Sequence, residues 1–224
     1  MGQMINLTAD DGHRLSAYRA APSGTPKAGL VVVQEIFGVN HHIQNVCDRF
    51  AADGYVALAP AIFDRVEPGI TLGYTADDIE RGRSIRGKVD IADMVRDVKA
   101  AVEALKAEGR GVGVVGYCLG GTMAWLAATR IPGVAAAVGY YGGGIGDTAS
   151  EQPKCPVLLH FGETDASIPP EHWDKVRAAH PKLPVHIYAG AGHGFSCDER
   201  GSFHKASHEQ ARERTIAFFR EHLG

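Results

Sequence analysis

Gly113-Val114-Val115-Gly116-Tyr117-Cys118-Leu119-Gly120-Gly121-Thr122 is the stretch on which the fold turns. Gly113 to Tyr117 is an apolar run of strand length, and Thr122 to Thr129 reads as a helix. Between them lies a G-x-nucleophile-x-G elbow, with cysteine where serine is more usual. A strand-to-helix turn this tight holds its central residue in a strained backbone region, and side chains two residues to either side would collide. Glycine at 116 and 120 meets that demand. The turn aims Cys118 over the first turn of the helix, where free N–H groups and the helix dipole favour a thiolate. The Leu119 N–H then points to where an oxyanion would form. In isolation the same pattern also fits a buried structural cysteine, so the rest of the chain has to decide. An overlapping pattern, Gly111-Val112-Gly113-Val114-Val115-Gly116, has dinucleotide-fingerprint spacing but contains a strand instead of following one, so it is set aside.

Outward from the elbow, apolar strand-length runs alternate with amphipathic stretches. Strands are expected at Leu30 to Glu35, Tyr55 to Ala59, Gly113 to Tyr117, Ala135 to Tyr140, Val157 to Phe161 and Val185 to Tyr188. They are continuous rather than alternating, as parallel strands buried on both faces are. Helices are expected at Ile43 to Ala52, Ile91 to Glu108, Thr122 to Thr129, Pro170 to Ala179 and Glu209 to His222. In Ile91 to Glu108 the positions Val95, Val98, Ala101, Val102 and Leu105 follow one helix face. Repeated strand–helix–strand units imply right-handed crossovers and a sheet covered by helices on both faces. Met4 to Thr8 and Arg14 to Ala20 read as an antiparallel hairpin at the sheet edge. With no composition break or repeat, one α/β domain over residues 1–224 is expected. Asp64 to Lys88 has no clear periodicity and reads as a long loop covering a site.

An elbow nucleophile takes an acid and then a histidine in chain order. His160-Phe161-Gly162-Glu163-Thr164-Asp165 ends a strand in a glycine turn; Asp165 is the better acid and Glu163 the substitute. Tyr188-Ala189-Gly190-Ala191-Gly192-His193-Gly194-Phe195 delivers His193 in a loop of small residues. Asp165 would fix the tautomer of His193, which shuttles the proton. Glu35 ends a Val-rich strand at the sheet edge where α/β folds place their sites. His41-His42 lacks ligands at helical spacing and reads as helix-start or surface residues. His160 reads as a buried strand residue, and His204 and His208 as a solvated helix face. No metal site is expected.

A length of 224 residues, 45% hydrophobic and 22% charged residues and a net charge of −3 describe an ordinary soluble domain. That charge gives no reason to expect nucleic acid or an anionic membrane as partner. No apolar run approaches the roughly 20 residues of a membrane helix. The N-terminus lacks a basic start followed by an apolar stretch, so the cytoplasm is the expected location. Four scattered cysteines (Cys47, Cys118, Cys155, Cys197) form no disulfide framework or zinc pair. No cofactor and a monomeric state are expected.

These motifs resemble the dienelactone hydrolase (carboxymethylenebutenolidase) family of the α/β-hydrolase superfamily, over nearly the whole chain. Gln34-Glu35-Ile36-Phe37-Gly38-Val39-Asn40 and the Gly116 to Gly121 elbow carry the likeness, with Gly162-Glu163-Thr164-Asp165 and Gly192-His193-Gly194-Phe195 agreeing. The resemblance implies an α/β-hydrolase fold and a Cys118/Asp165/His193 triad. It implies a Glu35 that contacts the resting thiol and helps ionise it when substrate binds. By the same likeness the backbone N–H groups of Ile36 and Leu119 form an oxyanion hole. Family members hold a substrate carboxylate with arginine and tyrosine side chains. Here Cys197 stands where one such arginine falls, so Arg200 would substitute, with Tyr74, Arg81, Arg83 and Arg86 as further candidates. The implied activity is hydrolysis of a small ester or lactone through a thioester. The alternatives are a broad-specificity carboxylesterase or thioesterase, and a non-catalytic small-molecule-binding or redox-responsive member of the fold.

Overall fold

The computed structural model describes residues 2–223; Met1 and Gly224, the ends of the expected 1–224 unit, lie outside the described residues. The hairpin expected at the start is present as β1 (Gln3–Thr8) and β2 (Arg14–Ala20). β2 continues antiparallel onto β4 (Val56–Pro60). From there the sheet is parallel: β3 (Gly29–Val33), β5 (Val112–Tyr117), β6 (Ala136–Tyr140), β7 (Val157–Gly162) and β8 (Val185–Tyr188). The strand order is β1-β2-β4-β3-β5-β6-β7-β8. Every residue of β3 through β7 is buried, which is why those runs are continuously apolar.

Helices cover both faces. A side chain at Gly113 would meet Phe219 and Leu223 of α6 (Lys205–Leu223), whereas one at Gly29 would meet Leu105 of α3 (Ile91–Lys106). Gly113 is in register with Leu30, the neighbour of Gly29, so α6 and α3 lie on opposite faces. Phe50 of α1 (His41–Ala52) meets Phe219 edge-on at 6.4 Å, which puts α1 with α6. The elbow helix α4 (Leu119–Arg130) packs beside α3 and is buried along nearly its whole length. α5 (Pro170–Ala179) follows β7, with a 3₁₀ turn at Gly143–Thr148 against it.

The stretch expected as a loop over 64–88 holds a helix, α2 (Ala76–Arg86), opened by a Thr75–Asp78 capping box. Six of its eleven residues are charged, and only Gly82 and Ile85 are buried, so it lacks an apolar stripe. Gly82 is the point of contact: a Cβ there would run into the Ile36 carbonyl. The helix therefore rests on the segment leaving β3, and Ile79, Arg83 and Arg86 line a cleft together with Cys118. β3 ends at Val33, two residues before the expected boundary, so Gln34 and Glu35 belong to the turn into the site and not to the strand. No helix among the described residues is long and apolar enough to cross a membrane.

Candidate active site

Cys118 sits at φ 54°, ψ −114°, a left-handed backbone that a non-glycine residue adopts only when its surroundings enforce it. The enforcement is visible. The Cys118 N–H donates to the Tyr140 carbonyl at 3.0 Å, and the Gly121 N–H returns to the Cys118 carbonyl at 3.0 Å. A Cβ on Gly116 would collide with the Gly120 carbonyl, and one on Gly120 with the Val33 carbonyl, so β3, the elbow and α4 close only with glycine at both places. α4 begins at Leu119, immediately after the cysteine. As first residue of the helix Leu119 has no intrahelical acceptor for its N–H. Among the described residues, neither the Leu119 nor the Ile36 N–H finds a backbone acceptor.

His193 Nδ1 is 2.7 Å from Asp165 Oδ2. A carboxylate only accepts, so Nδ1 carries a proton whether the ring is neutral or charged, and Nε2 is the atom that exchanges a proton with the nucleophile. The Asp165 side chain is fully buried, and its Oδ1 accepts from the Ser167 N–H at 2.8 Å, so the carboxylate cannot rotate away. Cys118 and His193 line the same cleft, close enough for the sulfur to act on the charge of the ring. Burial works against a charged imidazole, but the Asp165 carboxylate and the Cys118 sulfur together outweigh it and push His193 up to about 10. Glu163 plays a different part: it accepts from the Gly190 N–H at 2.9 Å and ties the turn after β7 to the one after β8.

Glu35 is fully buried and faces Arg200, whose Nη1 is 3.2 Å from Glu35 Oε1. The thiol's partner here is His193, and the Glu35 carboxylate is engaged by the guanidinium. Arg200 also lies over the rings of Phe37 (5.5 Å) and Tyr74 (5.7 Å), which hold it flat against the cleft. Tyr74 is beneath Arg200, its hydroxyl accepting from Asn40 Nδ2 at 3.1 Å. Arg83 and Arg86 line the same cleft as Cys118, His193 and Arg200, a space of about 490 Å³. Arg81 does not: it is 56% exposed and pairs with Glu67 at 2.6 Å on the outer surface of α2. The three arginines of this helix looked alike in sequence, and only its seating through Gly82 separates Arg83 and Arg86 from Arg81.

Three further residues had no legible signal. Tyr141, also at positive φ (37°), is buried and meets the His193 ring edge-on at 5.2 Å. Asp147 and Ser167 reach the cleft from the 3₁₀ turn and the turn after β7. His42, expected at a helix start or the surface, is in the first turn of α1 but only 1% exposed, because the loop carrying Cys197 and Asp198 folds over it. Cys197 is itself fully buried, and burial with the Glu35 charge beside it pushes the thiol up to about 12. All four cysteines are unpaired.

The dienelactone hydrolase family model matches residues 15–223. A protein of Azospirillum brasilense is 35% identical, with 98% of this chain and 99% of its own length aligned. One from Synechocystis sp. is 34% identical over 94% of this chain and 93% of its own. Both bear the name "putative carboxymethylenebutenolidase". A crystal structure of a "putative dienelactone hydrolase" from Klebsiella pneumoniae superposes with a TM-score of 0.83 at 29% identity, covering 98% of this chain and 99% of that one. The family model and these relatives cover nearly the whole chain, and the chain belongs to the dienelactone hydrolase family of α/β-hydrolases.

Proposed function

We propose that the protein hydrolyses a small ester or lactone carrying an anionic group, with Cys118 as nucleophile. The observation that carries this reading is the chain of contacts Cys118–His193–Asp165 at a positive-φ elbow beside two unclaimed backbone N–H groups. His193 Nε2 takes the thiol proton, and Cys118 Sγ attacks the substrate carbonyl carbon. The Ile36 and Leu119 N–H groups bind the resulting oxyanion. The C–O bond breaks, the proton passes from His193 to the leaving oxygen, and a thioester remains. Water then gives a proton to His193 and attacks the thioester, releasing the acid and returning the proton to sulfur. In a lactone the leaving oxygen stays tethered to the acyl group.

Arg83, Arg86 and Arg200 favour an anionic substrate. Arg200 is shared: an arriving carboxylate competes with Glu35 for it, and a released Glu35 carboxylate is then free to help remove the thiol proton. Binding and activation are thereby coupled. The test is a panel of neutral aryl esters, carboxylate-bearing esters and lactones, run on wild type and Cys118→Ala. Turnover confined to the wild type and favouring the anionic members supports the reading; equal turnover by Cys118→Ala overturns it.

A further inference from the structure

Behind the nucleophile, three side chains from three distant parts of the chain converge: Glu35 after β3, His42 in the first turn of α1, and Cys197 in the loop after β8. One carboxylate oxygen of Glu35, one ring nitrogen of His42 and the Cys197 sulfur all lie within 4.8 Å of one another. All three residues are essentially inaccessible to solvent. Two polar atoms here have no hydrogen-bond partner, Glu35 Oε2 and His42 Nε2. Leaving such atoms unpartnered in the interior costs about 1–3 kcal/mol each, so a pair of them side by side calls for an occupant.

The surroundings of each atom indicate which occupant. His42 Nδ1 faces Asp198 Oδ1 at 3.2 Å, which places the ring proton on Nδ1 and leaves Nε2 as a bare lone pair. A carboxylate behind a histidine is the arrangement that orients and strengthens an imidazole ligand. Glu35 Oε1 is held by Arg200, which fixes the carboxylate with Oε2 turned the other way. Cys197 brings its buried, unpaired sulfur to the same point. Glu35 and His42 thus each have an orienting partner and one unspent donor atom, and the Cys197 sulfur completes the set. A nearby set, His42 with Asp198 and Glu199, differs: Asp198 is paired with Arg49, and Glu199 with His41 at 2.6 Å.

We infer that Glu35, His42 and Cys197 form a binding site for a thiophilic divalent cation, zinc(II) above all, that holds Glu35 in place and silences the hydrolase. Oxygen, nitrogen and sulfur donors together favour zinc over magnesium or calcium. Bond lengths of about 2.0–2.3 Å at tetrahedral angles place zinc donors about 3.3–3.8 Å apart, so side-chain adjustments of up to about 1 Å close a set that lies within 4.8 Å. Carboxylate and thiolate neutralise the cation, and the Cys197 proton leaves to solvent as the metal–sulfur bond forms. Three protein ligands leave a fourth position open. A metal-bound Glu35 can no longer move from Arg200 toward the thiol, and this regulatory part rests on the proposed hydrolytic reading.

Cobalt(II) reports the site without reference to turnover. Metal-free wild type, Cys118→Ala, Cys197→Ala and His42→Gln are titrated with cobalt(II), followed by zinc(II). The expected result is a thiolate-to-cobalt charge-transfer band in wild type and in Cys118→Ala, lost in Cys197→Ala, with affinity about tenfold or more weaker in His42→Gln. Zinc(II) should displace the cobalt and stop wild-type hydrolysis reversibly, while Cys197→Ala keeps whatever turnover it has. No band in wild type overturns the site, as does a band lost in Cys118→Ala and kept in Cys197→Ala, which would place the metal on the nucleophile. A thiolate band in a protein that hydrolyses nothing upholds the site and overturns only the hydrolytic reading.

Discussion

Replacing Arg200 by methionine strips the cation from Glu35 while keeping part of the apolar stem over Phe37 and Tyr74. The charged atoms are 3.2 Å apart, and the side chains are 17% and 1% exposed. At an effective dielectric constant of about 20 this separation corresponds to about 5 kcal/mol of attraction. Desolvation cancels much of that for the intact pair, but removing one partner leaves the other charge buried alone, which costs about 3–5 kcal/mol. Glu35 Oε2 already lacks a partner, so no second donor softens the loss. Urea unfolding should therefore place Arg200→Met about 3 kcal/mol or more below wild type. Arg200→Met/Glu35→Gln should recover a large share, giving a coupling of at least about 1 kcal/mol. In turnover, kcat/KM for a carboxylate-bearing ester should fall about 30-fold or more, the effect of about 2 kcal/mol of lost charge pairing. A neutral ester should change far less. An Arg200→Met protein within about 0.5 kcal/mol of wild type, the scatter of ordinary surface changes, would refute the reasoning, as would strict additivity in the double variant.

Asp165→Asn should lower kcat by about 10⁴-fold with little change in KM, because the histidine loses its fixed tautomer; steady-state kinetics check this. Arg83→Ala should raise KM for an anionic ester about tenfold and leave neutral esters alone, whereas Arg81→Ala, paired outward with Glu67, should do neither. Gly120→Ala should lower stability by about 2 kcal/mol or more in denaturant melts, since its Cβ meets the Val33 and Gln34 carbonyls. Gly111→Ala, whose nearest neighbour is 4.0 Å away, is the control and should stay within about 0.5 kcal/mol. His193, raised to about 10 from 6.5, favours folding when protonated. Its contribution is present in full below pH 6.5 and is lost as pH rises toward 10, so the stability gap between wild type and His193→Gln should close across that window.

The sheet was legible in the sequence because parallel strands buried on both faces must be continuously apolar, and Val31 to Val33 or Val157 to Phe161 have no other use. The elbow was legible because Gly116 and Gly120 are demanded by backbone contact, a local requirement that leaves a local mark. Cys118, Asp165 and His193 lie at strand ends, and the strand order brings their segments together. α2 was not legible, because a helix seated by one glycine and one isoleucine carries no periodic stripe; only the Thr75–Asp78 cap marked its start. For the same reason the arginines of α2 could not be ranked. Nor could sequence show that Glu35 faces Arg200, or that His42 and Cys197 meet, since 155 positions separate that last pair and no spacing rule spans a loop folded back over a helix start.

If Cys118 carries the acyl group, the acyl-enzyme can be caught and weighed. Wild-type protein is quenched with acid during turnover of a slowly deacylating ester, and the intact and digested protein is weighed by mass spectrometry. The expected result is a hydroxylamine-labile acyl adduct on the Cys118 peptide in wild type and none in Cys118→Ser/His193→Gln. An adduct on another residue, or steady hydrolysis by Cys118→Ala at the wild-type rate, would contradict it.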